Sequence, residues 1–334
     1  MVINSNPAIA YCLETNTSTM QALVMAHASC VTGETEFLTP TGWKRKDQYK
    51  EGDLVAQYTY DGNAEFVKPL RYIHNASNKG GIQKFLNIET QGIKQEVTLD
   101  HKMVLLDQHK KLTTMSAYEF QTRQITKTRG YNGYFITGFN LCNDTELPYS
   151  IPEIALAVAI KADGSIRINK VVDYNFCRFH LKKARKIERL CALLNLLHIE
   201  FKLAATYGGR MSITFKCDKK YTKSYDARWF QASPRQLEMI ASEVLHWDGS
   251  LNSHSFSAKE LKEVEYIQYV WAARGHHTHI SQGTRCWSVT YTNRPYKGIS
   301  KSGNDNGSSR DKFEYSFQRN SYCFTVPSGM FVTR

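Results

Sequence analysis

The chain has 334 residues, 42% of them hydrophobic, with 19 Tyr, 16 Phe and 5 Trp, enough apolar surface for about two or three folded domains and too much for a disordered polymer. Its formal net charge is +12, with 43 Lys and Arg against 31 Asp and Glu. Most of the excess lies between residues 151 and 300, interleaved with aromatics, which is the footprint of a polyanion binder or of a solvated basic face. No apolar run approaches the ~18 to 20 residues of a bilayer span, and the first residues lack the basic start of a secretory signal. A soluble, cytoplasmic chain with no membrane partner is expected. Its 8 cysteines contain no CxxC pair, which points to reduced thiols rather than to a disulfide framework or a zinc knuckle.

Residues 1–29 hold a polar start and then an apolar run with helical spacing (Met20, Leu23, Val24, His27), too short to fold alone. From Cys30 to about 145, short β-type runs (TEFLT, LVAQYTY, KPLRYIH, KFLNIE, QEVTL, MVLL) alternate with turn signals at Pro40-Thr41-Gly42, Glu51-Gly52-Asp53, Asp61-Gly62-Asn63 and Gly80-Gly81, which predicts an all-β domain. From about 150 helices alternate with strands. Residues 301–312 read as a polar linker, and residues 313–334 resume the β texture. The order β, mixed, β predicts one domain inserted into another.

The inserted segment, 146–300, holds an internal repeat. Pro152 opens IPEIALAVAIKADGS, and Ser233-Pro234 opens SPRQLEMIASEVLHWDGS, each an apolar helix ending in Asp-Gly-Ser. Gly164 and Gly249 suit the left-handed conformation that ends a helix. Asp163 and Asp248 face the negative end of a helix dipole, an unfavourable placement of ~0.3 to 1 kcal/mol, so a positive group is expected beside them, and a divalent metal would supply it. Small residues (Ala155, Ala159, Ala162, Ala241, Ser242) would let the helices approach and bring the carboxylates together. Two carboxylates within a basic surface form a phosphodiester-hydrolysing site in which Mg²⁺ activates water. HHTH at 276–279 reads as a solvated loop, since no partner cluster has ligand spacing.

LAVAIKADG at 156–164 resembles the LAGLIDADG signature of homing endonucleases, departing at Val158, Ala159 and Lys161. ASEVLHWDG at 241–249 resembles its looser second copy, with Glu243 and His246 foreign to it. The resemblance implies an αββαββα fold whose sheets straddle the major groove of double-stranded DNA. It further implies a monomer with two pseudo-symmetric repeats, Mg²⁺ held by Asp163 and Asp248, and a basic residue near the scissile phosphate, for which Lys216, Lys219 and Lys220 are candidates.

CVTGETEFLTPTGW from Cys30, Gly52-Asp53-Leu54-Val55 and Thr98-Leu99-Asp100-His101 resemble, in order, the splicing motifs of inteins and other Hint (hedgehog/intein) domains. SYCFTVPSGMFVT resembles their penultimate motif, with Cys323 where an Asp is common and no His between Pro327 and Phe331. The resemblance implies an α+β chain overall: an all-β Hint horseshoe (30–145 and 313–334) split by the endonuclease. The implied chemistry is an N–S acyl shift, in which the Cys30 sulfur attacks the carbonyl of Ser29 and forms a thioester. Thr98 would hydrogen-bond the oxyanion or twist the bond, and His101, with an imidazole pKa near working pH, would protonate the leaving nitrogen. The host of such an element is expected to be prokaryotic or phage-type, its target the intein-less host gene, and residues 1–29 resemble the SpoVR-like family as a host fragment. The chain stops at Arg334 without the terminal Asn of a complete intein, which leaves two further expectations: a degenerate element that binds DNA without cutting, or one that splices only in trans with a missing C-terminal piece.

Overall fold

The computed structural model describes residues 30–76, 83–90, 92–126, 131–299, 312–318 and 320–334, together with the paired strands Val2–Ile3 and Ile9–Ala10. The expected helix around Met20 to His27, the acyl donor Ser29, the turn at Gly80-Gly81 and nearly all of the linker lie outside the described residues. The chain divides into two compact units, 1–140 with 295–334, and 141–294.

The first unit is built on antiparallel strands. One sheet runs in the spatial order Lys312–Gln318, Gln83–Thr90, Ile93–Thr98, Val31–Thr32, Asn320–Thr325, Arg71–Ala76. The segment after residue 311 is thus interleaved with strands from the start of the chain, and Val31–Thr32 sits between Ile93–Thr98 and Asn320–Thr325. A second sheet joins Leu112–Ser116, Lys102–Asp107, Gly133–Ile136 and Tyr296–Gly298. All six β-type runs of the sequence contain or overlap strands. Gly42, Gly52 and Gly62 take positive φ at the three described turns, where a side chain would be strained.

The expectation of an all-β domain is corrected by a helix, α1 (Ala117–Thr126). It forms because SAYEFQTRQIT carries helix formers after Ser116, whose Oγ accepts from the Glu119 N–H at 3.1 Å. Its Phe120 is fully buried, with ring contacts to Phe135 and Phe313. The core around it includes Phe37, Leu86, Ile88, Val97, Leu105, Tyr322 and Phe324, packed by hydrophobic burial across the strands.

The second unit repeats one design. Helices α2 (Ile151–Asp163) and α3 (Ala184–Leu196) pack with strands in the order Gly164–Arg167, Asn175–Leu181, Arg210–Cys217, Phe201–Thr206. Helices α4 (Pro234–His246) and α5 (Leu261–Ala272) pack with Gly249–Ser250, Ser255–Ala258, Trp287–Thr292, His277–Gln282. Each half is αββαββ with the same strand order; among the described residues neither closes with the third helix of the αββαββα expectation, and the first ends in a short 3-10 turn, Ala227–Gln231. Helices α2 and α4 begin with proline in the first turn. In each, the third helical side chain accepts from the cap N–H: Glu153 from Ser150 at 2.7 Å, Gln236 from Ser233 at 3.1 Å.

Candidate functional site

α2 packs against α4, with Ala155 and Ala159 buried. Ser242 is exposed, so it plays no part in the approach that the sequence assigned to it. The two glycines after the helices also act differently from expectation. Gly164 has an extended backbone, not a left-handed one, and Gly249 is not among the residues of positive φ. What both require is space: a Cβ on Gly164 would lie 2.6 Å from the Ile160 carbonyl oxygen, and one on Gly249 2.7 Å from that of Ser255. The chain turns from helix to strand with no room for a side chain.

The helix ends bring Asp163 and Asp248 within electrostatic reach of each other. Asp248 reaches solvent on one side, yet its carboxyl is held above the usual range by the protein packed around it and by Asp163, against Lys186, Lys223 and Lys161. Lysines provide the positive charge that the sequence calls for at these ends. Lys186 Nζ lies 2.5 Å from Asp163 Oδ2. Lys223 Nζ donates to the carbonyls of Ile160, at 3.0 Å, and Lys161, capping α2. Burial holds the Lys223 ammonium below its usual range, opposed first by Asp248.

Neither lysine belongs to the candidate set from the sequence. Lys216 lies over the Tyr174 ring, 4.6 Å from its centroid; Lys219 pairs with Asp173 at 3.6 Å and Lys220 with Glu153 at 2.7 Å. HHTH is also corrected: His277 and His279 lie on a strand, and His276 packs on the Tyr291 ring. Among the described residues no group of three or more His, Cys, Asp or Glu could hold a metal. Asp163 and Asp248 are nevertheless a pair of hard oxygen donors, a donor set that fits Mg²⁺ with water completing the shell.

Two of the departures from the helix signatures, Lys161 and Glu243, are buried charges held in ion pairs. Lys161 Nζ meets Glu263 Oε2 of α5 at 2.6 Å and lies 4.1 Å from the centroid of the Tyr225 ring. Glu243, fully buried, takes a fork of two bonds from Arg189 of α3, one at 2.7 Å, and a third from Trp247 Nε1 at 2.7 Å. Each long helix is therefore tied to a flanking helix by charge.

The outer faces of the two sheets differ. On the first, alternation exposes Arg167, Arg178, Lys202, Arg210 and Lys216 on one side of the register. The corresponding face of the second carries Ser255, Ser257, Ser288, Thr290 and Thr292 with His277 and His279, and no Lys, Arg, Asp or Glu.

In the first unit, Cys30 is buried and Thr98 sits on its peptide group. The Cys30 N–H donates to Thr98 Oγ1 at 3.1 Å, the Thr98 hydroxyl donates to the Cys30 carbonyl at 3.3 Å, and the Thr98 N–H donates to the same carbonyl at 3.0 Å. The hydroxyl thus touches the Cys30 nitrogen. The oxyanion of Ser29 lies outside the described residues. His101 follows through its own N–H, which donates to the Thr98 carbonyl at 2.9 Å. Its imidazole pKa is not near working pH: burial pushes it down to about 4, opposed by a smaller contribution from the Cys30 backbone. Its buried Nδ1 has no hydrogen-bond partner among the described residues.

Cys323, noted in the sequence only as a departure, lies beside Cys30. A hydrogen bond from its thiol holds the Cys30 thiol below the usual cysteine range, against burial, with a second from Ser321 and an opposing charge on Asp100. The Cys323 thiol is raised, first by Cys30 and then by burial.

The family model described as SpoVR like protein matches residues 1–48. The chain is 23% identical over 339 aligned positions to the ribonucleoside-diphosphate reductase subunit beta of Aquifex aeolicus (strain VF5), covering 91% of this chain and 48% of that protein; it spans about half the length of this curated relative. Among solved structures, it is similar to a variant of I-DmoI in complex with its target DNA nicked in the coding strand and in the presence of manganese, with 13% identity and a TM-score of 0.32, over 43% of this chain and 90% of that one. It is also similar to a glutathione-linked, splice-inactive variant of the AceL NrdHF class 3 split intein, with 13% identity and a TM-score of 0.26, over 56% of this chain and 97% of that one.

Proposed function

We propose that the chain is an intein-type element: a self-processing β unit that carries a DNA-cutting unit of the LAGLIDADG kind. The observation that carries this reading is the convergence of Asp163 and Asp248 at the ends of two like helices, under Lys186 and Lys223, beside a sheet lined with cations. A bound Mg²⁺ would supply Lewis acidity and an activated water. The chain's own groups do the rest: Asp163 and Asp248 hold the cation, Lys186 and Lys223 draw in a phosphate, and the first sheet's cations track the DNA backbone. In the β unit, the Cys30 sulfur attacks the Ser29 carbonyl carbon, the C–N bond to Cys30 breaks, and the nitrogen leaves as an amine beside the Thr98 hydroxyl, taking up the proton that the thiol gave up. The Cys323 and Ser321 hydrogen bonds favour the thiolate that starts this step.

A second reading, binding without cutting, is favoured by Lys186, whose ion pair neutralises Asp163. Plasmid nicking in Mg²⁺ separates the two, using plasmid carrying the host gene joined without the element. Cutting by the wild type, abolished in Asp163→Asn and Asp248→Asn while gel-shift binding persists, is the expected result. Cutting that survives either change overturns the assignment, and binding without any cutting establishes the second reading.

A further inference from the structure

Cys30 and Cys323 are opposed across two strands. Val31 pairs with Tyr322 and Thr32 with Ser321 in antiparallel register, so the next rung sets Cys30 against Cys323. The N–H and carbonyl of Cys30 both turn the other way, to Thr98. The rung facing Cys323 is therefore of the kind without backbone hydrogen bonds, in which opposed Cα atoms lie about 4.5 Å apart and side chains come closest. That separation is within the roughly 4.4 to 6.8 Å that a disulfide spans. Both thiols are buried, at 3% and 5% exposure, and they are hydrogen-bonded to each other.

We propose that Cys30 and Cys323 are a reversible oxidation site, converted by a small peroxide into a Cys30–Cys323 disulfide. The peroxide O–O bond and two S–H bonds break and one S–S bond forms. Peroxide takes up two electrons, one from each sulfur, and leaves with both protons as two waters. A dithiol reverses the change by exchange. While the bond stands, the Cys30 sulfur is no nucleophile, so peptide rearrangement is blocked; this consequence rests on the proposed function, whereas the cross-link does not.

The second unit supplies an internal comparison. Cys177 and Cys217 are also buried and hydrogen-bonded, but Cys177 faces Phe215 and Cys217 faces Asn175, so the two are diagonal neighbours. Diagonal Cα atoms lie about 7 to 8 Å apart, too far for a disulfide without backbone movement.

The test is peptide mapping of the full chain after brief hydrogen peroxide treatment, alkylation and digestion without reductant. The expected product is the Cys30 peptide joined to the Cys323 peptide, two hydrogens lighter than their sum, restored by dithiothreitol, with Cys177 and Cys217 still alkylated. Separate alkylation or separate over-oxidation of Cys30 and Cys323 overturns the proposal, as does cross-linking of Cys177 to Cys217 in equal yield. Hydroxylamine, which cleaves thioesters without reducing disulfides, is applied in parallel. Cleavage after residue 29 in the reduced chain and not in the oxidised one supports both claims; a cross-link with no cleavage in either form keeps the oxidation site and sinks the self-processing reading.

Discussion

Around Cys30, three residues act through different physics. Thr98 grips the peptide group, Cys323 stabilises the thiolate, and His101 stays neutral because burial outweighs its backbone contact. The neutral His101 has a measurable consequence. Its folded pKa, about 4, is below the ordinary histidine value of about 6.5, so the unfolded chain takes up a proton that the folded chain resists. This contribution to stability is full above about pH 6.5 and is lost as pH falls toward 4, by up to about 3 kcal/mol. Urea unfolding of wild type and His101→Gln at pH 7 and pH 5 checks it: the wild type is expected to lose more stability on acidification than the variant. Equal losses would mean that His101 titrates normally.

At the scale of elements, the helices α2 and α4 were legible because their signals are local: a capping residue, a proline, an apolar run and a glycine. Their partners were not legible. Lys186 and Lys223 are distant from the carboxylates in sequence and sit in basic runs where nothing singles them out; only the packing of α3 and of the segment after Cys217 selects them. Lys161 and Glu243 looked like defects because the sequence hides their counter-charges, Glu263 and Arg189, on other helices. The sheets add a contrast that alternation alone did not reveal, since register decides which side chains share a face. If the first sheet binds the DNA phosphates, Arg167→Gln with Arg178→Gln and Lys216→Gln lowers the slope of log affinity against log salt, on random-sequence duplex DNA, by up to about 0.9 for each phosphate no longer neutralised. Ser257→Ala with Ser288→Ala and Thr290→Ala leaves the slope unchanged. Equal slope changes from the two sets would show that the sheets share the backbone evenly.

For the whole molecule, the order of textures along the chain was visible in composition, but the interleaving of Lys312–Gln318 and Asn320–Thr325 among strands from residues 31–98 is a matter of long-range pairing that no local signal encodes. That pairing places Cys323 opposite Cys30, while the acid pair is assembled wholly within residues 141–294. In the proposed function Cys30 is the acyl acceptor. The intact mass of the full chain at neutral pH, with and without a small thiol, tests it most directly. Release of residues 1–29 as a thiol adduct, absent in Cys30→Ala, is the predicted result; a wild-type mass unchanged by thiol, or release that persists in Cys30→Ala, would contradict it.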